Sequence, residues 1–233
     1  RLVGSEMCIR DSLCSGRSRS NIKSPKLLAL GFDGIVAACG THIEFEGEKL
    51  FELLLTKEQI GHILAVLRKH QIPMVLEGPN YIYVDEKDFV DDPYVIYLRN
   101  ELGENLKSIT GTAQYEVNKL SAELGNADVE LVRKELGTEF DMIVHEPDGI
   151  LEIGQAGHSK ASGIERLCAS LGIAKEDTYA FGDSANDVEM LEFVAHGIAM
   201  GNGTDVAKNA AEFVTTDIHK DGIWNGLKHY GLI

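Results

Sequence analysis

Gly182-Asp183-Ser184-Ala185-Asn186-Asp187 sets two carboxylates and a carboxamide within six residues. Hard oxygen donors this close together suit Mg²⁺, which takes one or two protein carboxylates and completes its shell with waters and phosphate oxygens. The same residues would also serve as a plain helix start, with Ser184 or Asn186 as N-cap and Asp187 as a first-turn acid. The loop alone does not choose between these readings. Lys160 favours the chemical one. It lies in the first turn of a predicted helix, where a cation opposes the macrodipole unless an anion or a group of carboxylates compensates it. Together, Lys160, Asp183, Asn186 and Asp187 read as partners for phosphate and for one another.

The surrounding pattern supplies elements to hold them. Ile164, Leu167, Cys168 and Leu171 form the i, i+3, i+4, i+7 stripe of an amphipathic helix, with Ser159 as its N-cap and Gly172 as its stop. A strand is predicted at Thr178-Tyr179-Ala180-Phe181, then a helix carrying Val188, Leu191 and Val194, then a buried strand at Gly197-Ile198-Ala199-Met200. This alternation implies a parallel sheet with crossover helices, in which ligands sit beyond the carboxyl ends of the strands, where Gly182-Asp183 falls. Residues 41–152 differ. Two strands flank Glu46-Gly47-Glu48, a helical stripe runs through Ile60, Ile63, Leu64 and Leu67, and further strands are predicted at 74–76, 81–84, 116–120 and 141–144. The fold class is therefore α/β, a Rossmann-like core with a parallel sheet, plus an inserted α+β domain. Expected bounds are 13–40 and 153–233 for the core and 41–152 for the insert.

Composition narrows the partners. The 233 residues carry 22 Lys and Arg against 37 Asp and Glu, a net charge of −15. No basic surface is available to displace the counterions of a nucleic acid, whereas a small phosphorylated metabolite needs only a few local donors. No apolar run is long enough to span a membrane. Cys8, Cys14, Cys39 and Cys168 show no zinc or disulfide spacing, and a reducing, cytoplasmic setting is expected. His42, His145 and His158 read as isolated surface or turn residues, Trp224 as packing on the last helix, and Asp217 and Asp221 as caps or solvated acids of that helix.

The segments GHSKASGIERLCASLGI, YAFGDSANDVEMLEFVAHGIAMGNG and VTTDIHKDGIWNGLKHYGLI together resemble the Cof-type haloacid-dehalogenase-like hydrolases. The resemblance runs over roughly residues 13–233, with Lys160 on the family's third motif and Gly182-Asp183-x-x-Asn186-Asp187 on its fourth. Leu13-Cys14-Ser15-Gly16-Arg17 matches the second, which implies a phosphate-contacting hydroxyl on Ser15 with Gly16 beside it. The resemblance implies hydrolysis of phosphate monoesters through an aspartyl-phosphate. Ser15, Lys160 and Asn186 would hold the phosphate, Asp183 would bind Mg²⁺, and Asp187 would support the metal or its waters. It also implies that residues 41–152 form the cap that selects the substrate, with sugar, nucleotide, flavin and pyridoxal phosphates all open.

The sequence departs from the family in one place. The family's Asp-x-Asp-Gly-Thr precedes its second motif, but the only aspartate before Ser15 is Asp11. Phe32-Asp33-Gly34-Ile35 copies half of that motif yet follows Ser15, where a turn before the cap-entry strand belongs. RLVGSEMCIRDS resembles a translated adaptor read, so residues 1–12 are expected to be foreign. The chain as written is expected to lack its nucleophile and to be inactive, and its sheet is expected to lack a central strand, with low stability or association as the result. A nucleophile-less binding or regulatory module, or a phosphomutase on the same scaffold, are the alternatives. The oligomeric state is left open.

Overall fold

The computed structural model describes residues 9–85, 93–110, 114–145 and 149–233. In chain order its elements are β1 (Ser12–Cys14), α1 (Pro25–Leu28), β2 (Gly34–Ala37), β3 (His42–Phe45), β4 (Glu48–Glu52), α2 (Lys57–Lys69), β5 (Met74–Glu77), β6 (Ile82–Val84), α3 (Pro93–Leu102), β7 (Leu106–Ser108) and β8 (Lys119–Glu123). There follow α4 (Val129–Leu136), β9 (Phe140–His145), β10 (Ile150–Gln155), α5 (Lys160–Leu171), β11 (Tyr179–Gly182), α6 (Val188–Phe193), β12 (His196–Ala199), α7 (Asp205–Ala210), β13 (Phe213–Val214) and α8 (Gly222–His229). The chain divides into two compact units, one of Arg1–Gly16, Pro25–Phe51 and His158–Ile233, the other of Arg17–Ser24 and Glu52–Gly157. No described helix is long and apolar enough to cross a membrane.

The first unit is α/β. Its strands form a four-stranded sheet, β1-β2-β3-β4, and a three-stranded sheet, β11-β12-β13. β1 runs parallel to β2, with Ser12 opposite Gly34 and Cys14 opposite Val36, and β11, β12 and β13 are mutually parallel. The stripe of α5 packs as its spacing requires: Leu167 lies with Val36, Ile43 and Phe45, and Ile164 lies against Ala180, Met190 and Val194. Cys14 belongs to both clusters and so joins the two sheets through side chains. The hairpin at 42–52 was expected in the insert. Instead β3 pairs antiparallel with β2 along its whole length, so the hairpin belongs to the first unit. His42 is not a surface residue either: it is 2% exposed, with Nε2 2.8 Å from Glu44 Oε1. Trp224 is the reverse case, 57% exposed on α8. That helix approaches the sheet through Gly226, where a Cβ would lie 2.5 Å from the Phe181 ring. Asp217 does cap, accepting from the His219 amide at 2.8 Å.

The second unit is a six-stranded sheet in the order β7-β6-β5-β8-β10-β9. Alternation along the strands separates its two faces. Leu76, Leu120, Leu151 and Ile153 point to one side, where Ile63 and Leu67 of α2 and Val132 and Leu136 of α4 close the core. On the other side Val75, Ile82 and Val84 lie under Val95, Leu98 and Leu102 of α3. Beyond that patch the face turns polar. Cross-strand pairing sets Glu77 opposite Lys119 and Ser121 opposite Glu152. Lys119, only 4% exposed, holds Nζ 2.8 Å from Glu152 Oε1 and 3.7 Å from Glu77 Oε1. Glu77 also accepts from Ser121 Oγ and, at 3.0 Å, from Ser18 Oγ. Burial alone would raise the Glu152 carboxyl, but the His145 ring 3.5 Å away and the charge of Lys119 outweigh it and hold it at about 2. The strand predicted at 116–120 begins only at Lys119, and the Asn118 carboxamide instead ties Glu52 Oε1 and the Leu53 carbonyl, at 2.7 and 2.9 Å.

Two outcomes follow from this architecture. Among the described residues β1 forms a ladder only with β2, and β11 only with β12, and strand edges of this kind pair with other chains. Sedimentation velocity is expected to show concentration-dependent association; one monomeric species with a sharp cooperative melt would contradict it. Replacing Lys119 by Met leaves two buried carboxylates without their cation and is expected to cost roughly 3–5 kcal/mol in chemical denaturation. Glu152 has a depressed folded value, so its contribution to stability is complete above the ordinary carboxylate range. That contribution is lost as pH falls through about 2, and the acid slope should flatten in Lys119→Met.

Candidate functional site

Helix α5 begins with a reciprocal cap. The Ser162 amide donates to Ser159 Oγ at 3.4 Å, and the Ser159 amide donates to Ser162 Oγ at 3.0 Å. This fixes the first turn and with it Lys160, whose side chain is 7% exposed. Its Nζ donates to Asp187 Oδ1 at 2.5 Å and to Asn186 Oδ1 at 3.0 Å. An ammonium has three protons, and the third finds no acceptor among the described residues.

Asp187 is held from its other side as well. Its Oδ2 accepts from the Asp183 and Ser184 amides at 2.9 and 3.0 Å, with Ser184 Oγ at 3.1 Å. Only glycine fits at 182, because a Cβ there would sit 2.6 Å from Asp187 Cβ. Burial by itself would raise the Asp187 carboxyl; the Lys160 charge, its hydrogen bond and the two amides hold it below its ordinary value. Asp183 is positioned differently. Its backbone carbonyl accepts from the Thr204 amide at 2.8 Å, and its exposed carboxylate makes no bond with any described residue. Gly203 permits this, since a Cβ at 203 would lie 3.0 Å from the Asp183 carbonyl oxygen.

Ser15 follows β1 at its carboxyl end. Its amide donates to the Val36 carbonyl at 2.8 Å, and its carbonyl accepts from the Cys39 amide at 3.3 Å. Ala38, Cys39 and Gly40 all have positive φ, at 48°, 52° and 84°. Such a conformation costs roughly 1–2 kcal/mol for each non-glycine residue. The loop is pressed onto the start of α5, where a Cβ on Gly40 would meet the Ser159 carbonyl oxygen at 2.3 Å. Ser15 is thereby linked through one loop to the start of α5, with the buried Gly16 next to it in the chain. Cys14 lies in the same neighbourhood: burial, with the Asp187 and Cys39 charges, outweighs the pull of Lys160 and pushes its thiol up to about 12. It is a neutral packing thiol and no nucleophile.

The geometry thus joins Lys160, Asn186 and Asp187 directly, Asp183 through its backbone, and Ser15 to the start of α5 through the 38–40 loop; Gly16 follows Ser15 in the chain. Asp33 stands elsewhere. Its Oδ2 accepts from the Asp11 amide at 3.3 Å and its own amide donates to Asp11 Oδ1 at 3.2 Å, before β2 begins. In the parallel ladder that is the end of the sheet away from Ser15. Sequence reasoning had missed Ser184 as more than a cap, and the supports at Ala38-Cys39-Gly40 and Gly203-Thr204. Clustered small residues in AACGT and MGNGT were the available signal. No group of three or more His, Cys, Asp or Glu side chains converges among the described residues. The donor set instead suits Mg²⁺, which uses one or two carboxylates plus waters and phosphate: Asp183 offers unengaged oxygens.

Comparison with known proteins gives this arrangement a family. The chain is 31% identical to the putative phosphatase YkrA of Bacillus subtilis over 95% of its own length and 84% of that protein. It is 36% identical, over 57% of its length and 47% of the relative, to the 5-amino-6-(5-phospho-D-ribitylamino)uracil phosphatase YitU of Bacillus subtilis. Among solved structures, a hypothetical protein from Geobacillus kaustophilus HTA426 superposes with a TM-score of 0.77 at 30% identity, covering 95% of this chain and 85% of that one. The subclass IIB sugar phosphatase BT4131 shares the fold, with a TM-score of 0.78 at 22% identity over 97% of this chain and 86% of that one. Residues 9–227 match the family model of these enzymes, and the chain belongs to the haloacid dehalogenase-like hydrolases, in their Cof-type branch.

Proposed function

We propose that the protein is a Mg²⁺-dependent phosphatase of small phosphorylated metabolites, acting through an aspartyl-phosphate, and that this chain carries the phosphate-holding part of its site. The observation that carries the reading is Lys160. A buried ammonium with one uncommitted proton, beside a carboxamide and at a strand's carboxyl end, is a receptor for a tetrahedral oxyanion. Lys160 and Asn186 donate to phosphate oxygens, and Ser15 and Gly16 approach the same anion from β1. Asp183 would hold Mg²⁺, which when bound neutralises charge on the phosphoryl group. Asp187 holds Lys160 in place. YitU and YcsE, both named for a phosphorylated ribitylaminouracil, support a small polar phosphate ester as substrate. The second unit would select its organic part.

Asp187 does not attack phosphorus. Its carboxylate is engaged as the counter-ion of Lys160, with Oδ1 accepting from the ammonium and Oδ2 from two backbone amides of the turn, which fixes it in a supporting position. With Asp33 at the far end of the sheet and Cys14 neutral, no described residue beside Lys160 takes the nucleophile's role. That observation favours a second reading, in which the chain binds phosphate esters without hydrolysing them.

Calorimetric titration with inorganic phosphate, with and without MgCl₂, tests the site. Mg²⁺ is expected to tighten binding about tenfold or more, the scale of one or two charge-assisted contacts. Asp183→Asn should abolish that gain while changing stability by less than about 0.5 kcal/mol, because the side chain is exposed. Binding indifferent to both would overturn the assignment. Turnover of p-nitrophenyl phosphate by this chain at rates like those of its phosphatase relatives would overturn the nucleophile-less reading.

A further inference from the structure

We propose that Ser184 is a positioning residue for phosphate binding, acting through the Asn186 carboxamide; the proposal rests on the phosphate-binding reading above. Lys160 Nζ stands 3.0 Å from Asn186 Oδ1. An ammonium has no acceptor capacity, so the atom facing it has to be the carbonyl oxygen and not the amide nitrogen. This settles the orientation of the amide by chemistry. Ser184 Oγ lies 2.7 Å from the same Oδ1. Because Oδ1 carries no proton, the serine is the donor. Its other acceptor within reach, Asp187 Oδ2, is farther at 3.1 Å and already takes two backbone amides. Both lone pairs of Asn186 Oδ1 are therefore filled, one by Lys160 and one by Ser184.

The consequence falls on the other end of the amide. Nδ2 carries two N–H groups and has no acceptor among the described residues, and Asn186 is only half-buried. The terminal torsion of asparagine is broad and roughly two-fold, so a single donor on Oδ1 would leave the amide plane free to swing. Two donors fix it, and two N–H bonds then point away from the buried pair, alongside the uncommitted proton of Lys160. An acceptor-only ligand with several lone pairs, a phosphate group, satisfies that set. Threonine at 184 would keep the hydroxyl, and the extended backbone there, φ −133° and ψ 172°, accommodates a β-branched side chain.

The test uses the full ¹⁵N-labelled chain titrated with inorganic phosphate, following the Asn186 side-chain NH₂ pair, assigned by its disappearance in Asn186→Asp. In the wild type this pair should shift as phosphate saturates. Ser184→Ala should weaken phosphate binding about 3- to 10-fold, the scale of one hydrogen bond, with a diminished shift of the Asn186 pair. Ser184→Thr should restore both to within about twofold. Wild-type affinity in Ser184→Ala overturns the positioning role while phosphate binding stands, and so does a threonine variant as weak as the alanine one. A wild type in which phosphate moves no signal near Lys160 overturns the phosphate-binding reading and this inference together.

Discussion

The first unit is organised around one buried ion pair, Lys160 with Asp187. The two side chains are 7% and 8% exposed and 2.5 Å apart. Taking both charges out of water is costly, and the attraction offsets that cost only where the remaining donors and acceptors are also satisfied. Here all but one ammonium proton are, by Asn186 on the lysine side and by two backbone amides on the carboxylate side. Those two amides belong to the turn after β11, so the pair determines the shape of that turn as well as its charge. The pair also ties α5 to the end of β11, and through the 38–40 loop it reaches Ser15.

The second unit solves a similar electrostatic problem to a different end. Lys119 sits at the middle of a sheet face between carboxylates from β5 and β10, and its protons are turned toward protein partners. Lys160 keeps a proton that no described residue accepts. Both lysines are nearly buried, yet one reads as structural and the other as a receptor. The distinction lies in the partners and not in burial, since the two are 4% and 7% exposed: Lys119 stands between two carboxylates, whereas Lys160 faces one carboxylate and a carboxamide.

Much of this was legible in the residues. The helix at α5, its Ser159 cap and its Gly172 stop follow from local periodicity and cap chemistry, and so does the strand that ends at Gly182. The loop 182–187 announced itself because its oxygens are close in sequence. What was not legible depended on pairing between segments. The 42–52 hairpin looks the same whether it joins a core or an insert, and only the β2–β3 register assigns it. Lys119 within KLSAE carries no sign that Glu77 and Glu152 flank it. Trp224 was expected to pack because large aromatics usually do, whereas α8 meets the sheet through glycine and leaves the ring in solvent.

A net charge of −15 looks hostile to an anionic ligand, but the field that matters is local. Screening confines exposed charges to about 8–10 Å at physiological ionic strength, whereas the donors near Lys160 act at contact distance from a partly desolvated position. The Asp187 carboxylate does not cancel them: its oxygens face inward, toward the ammonium and the turn's amides, so what remains open to a ligand is one ammonium proton and a carboxamide. On the phosphate-binding reading proposed above, selectivity for an anion in an acidic protein would come from the direction of a few N–H bonds.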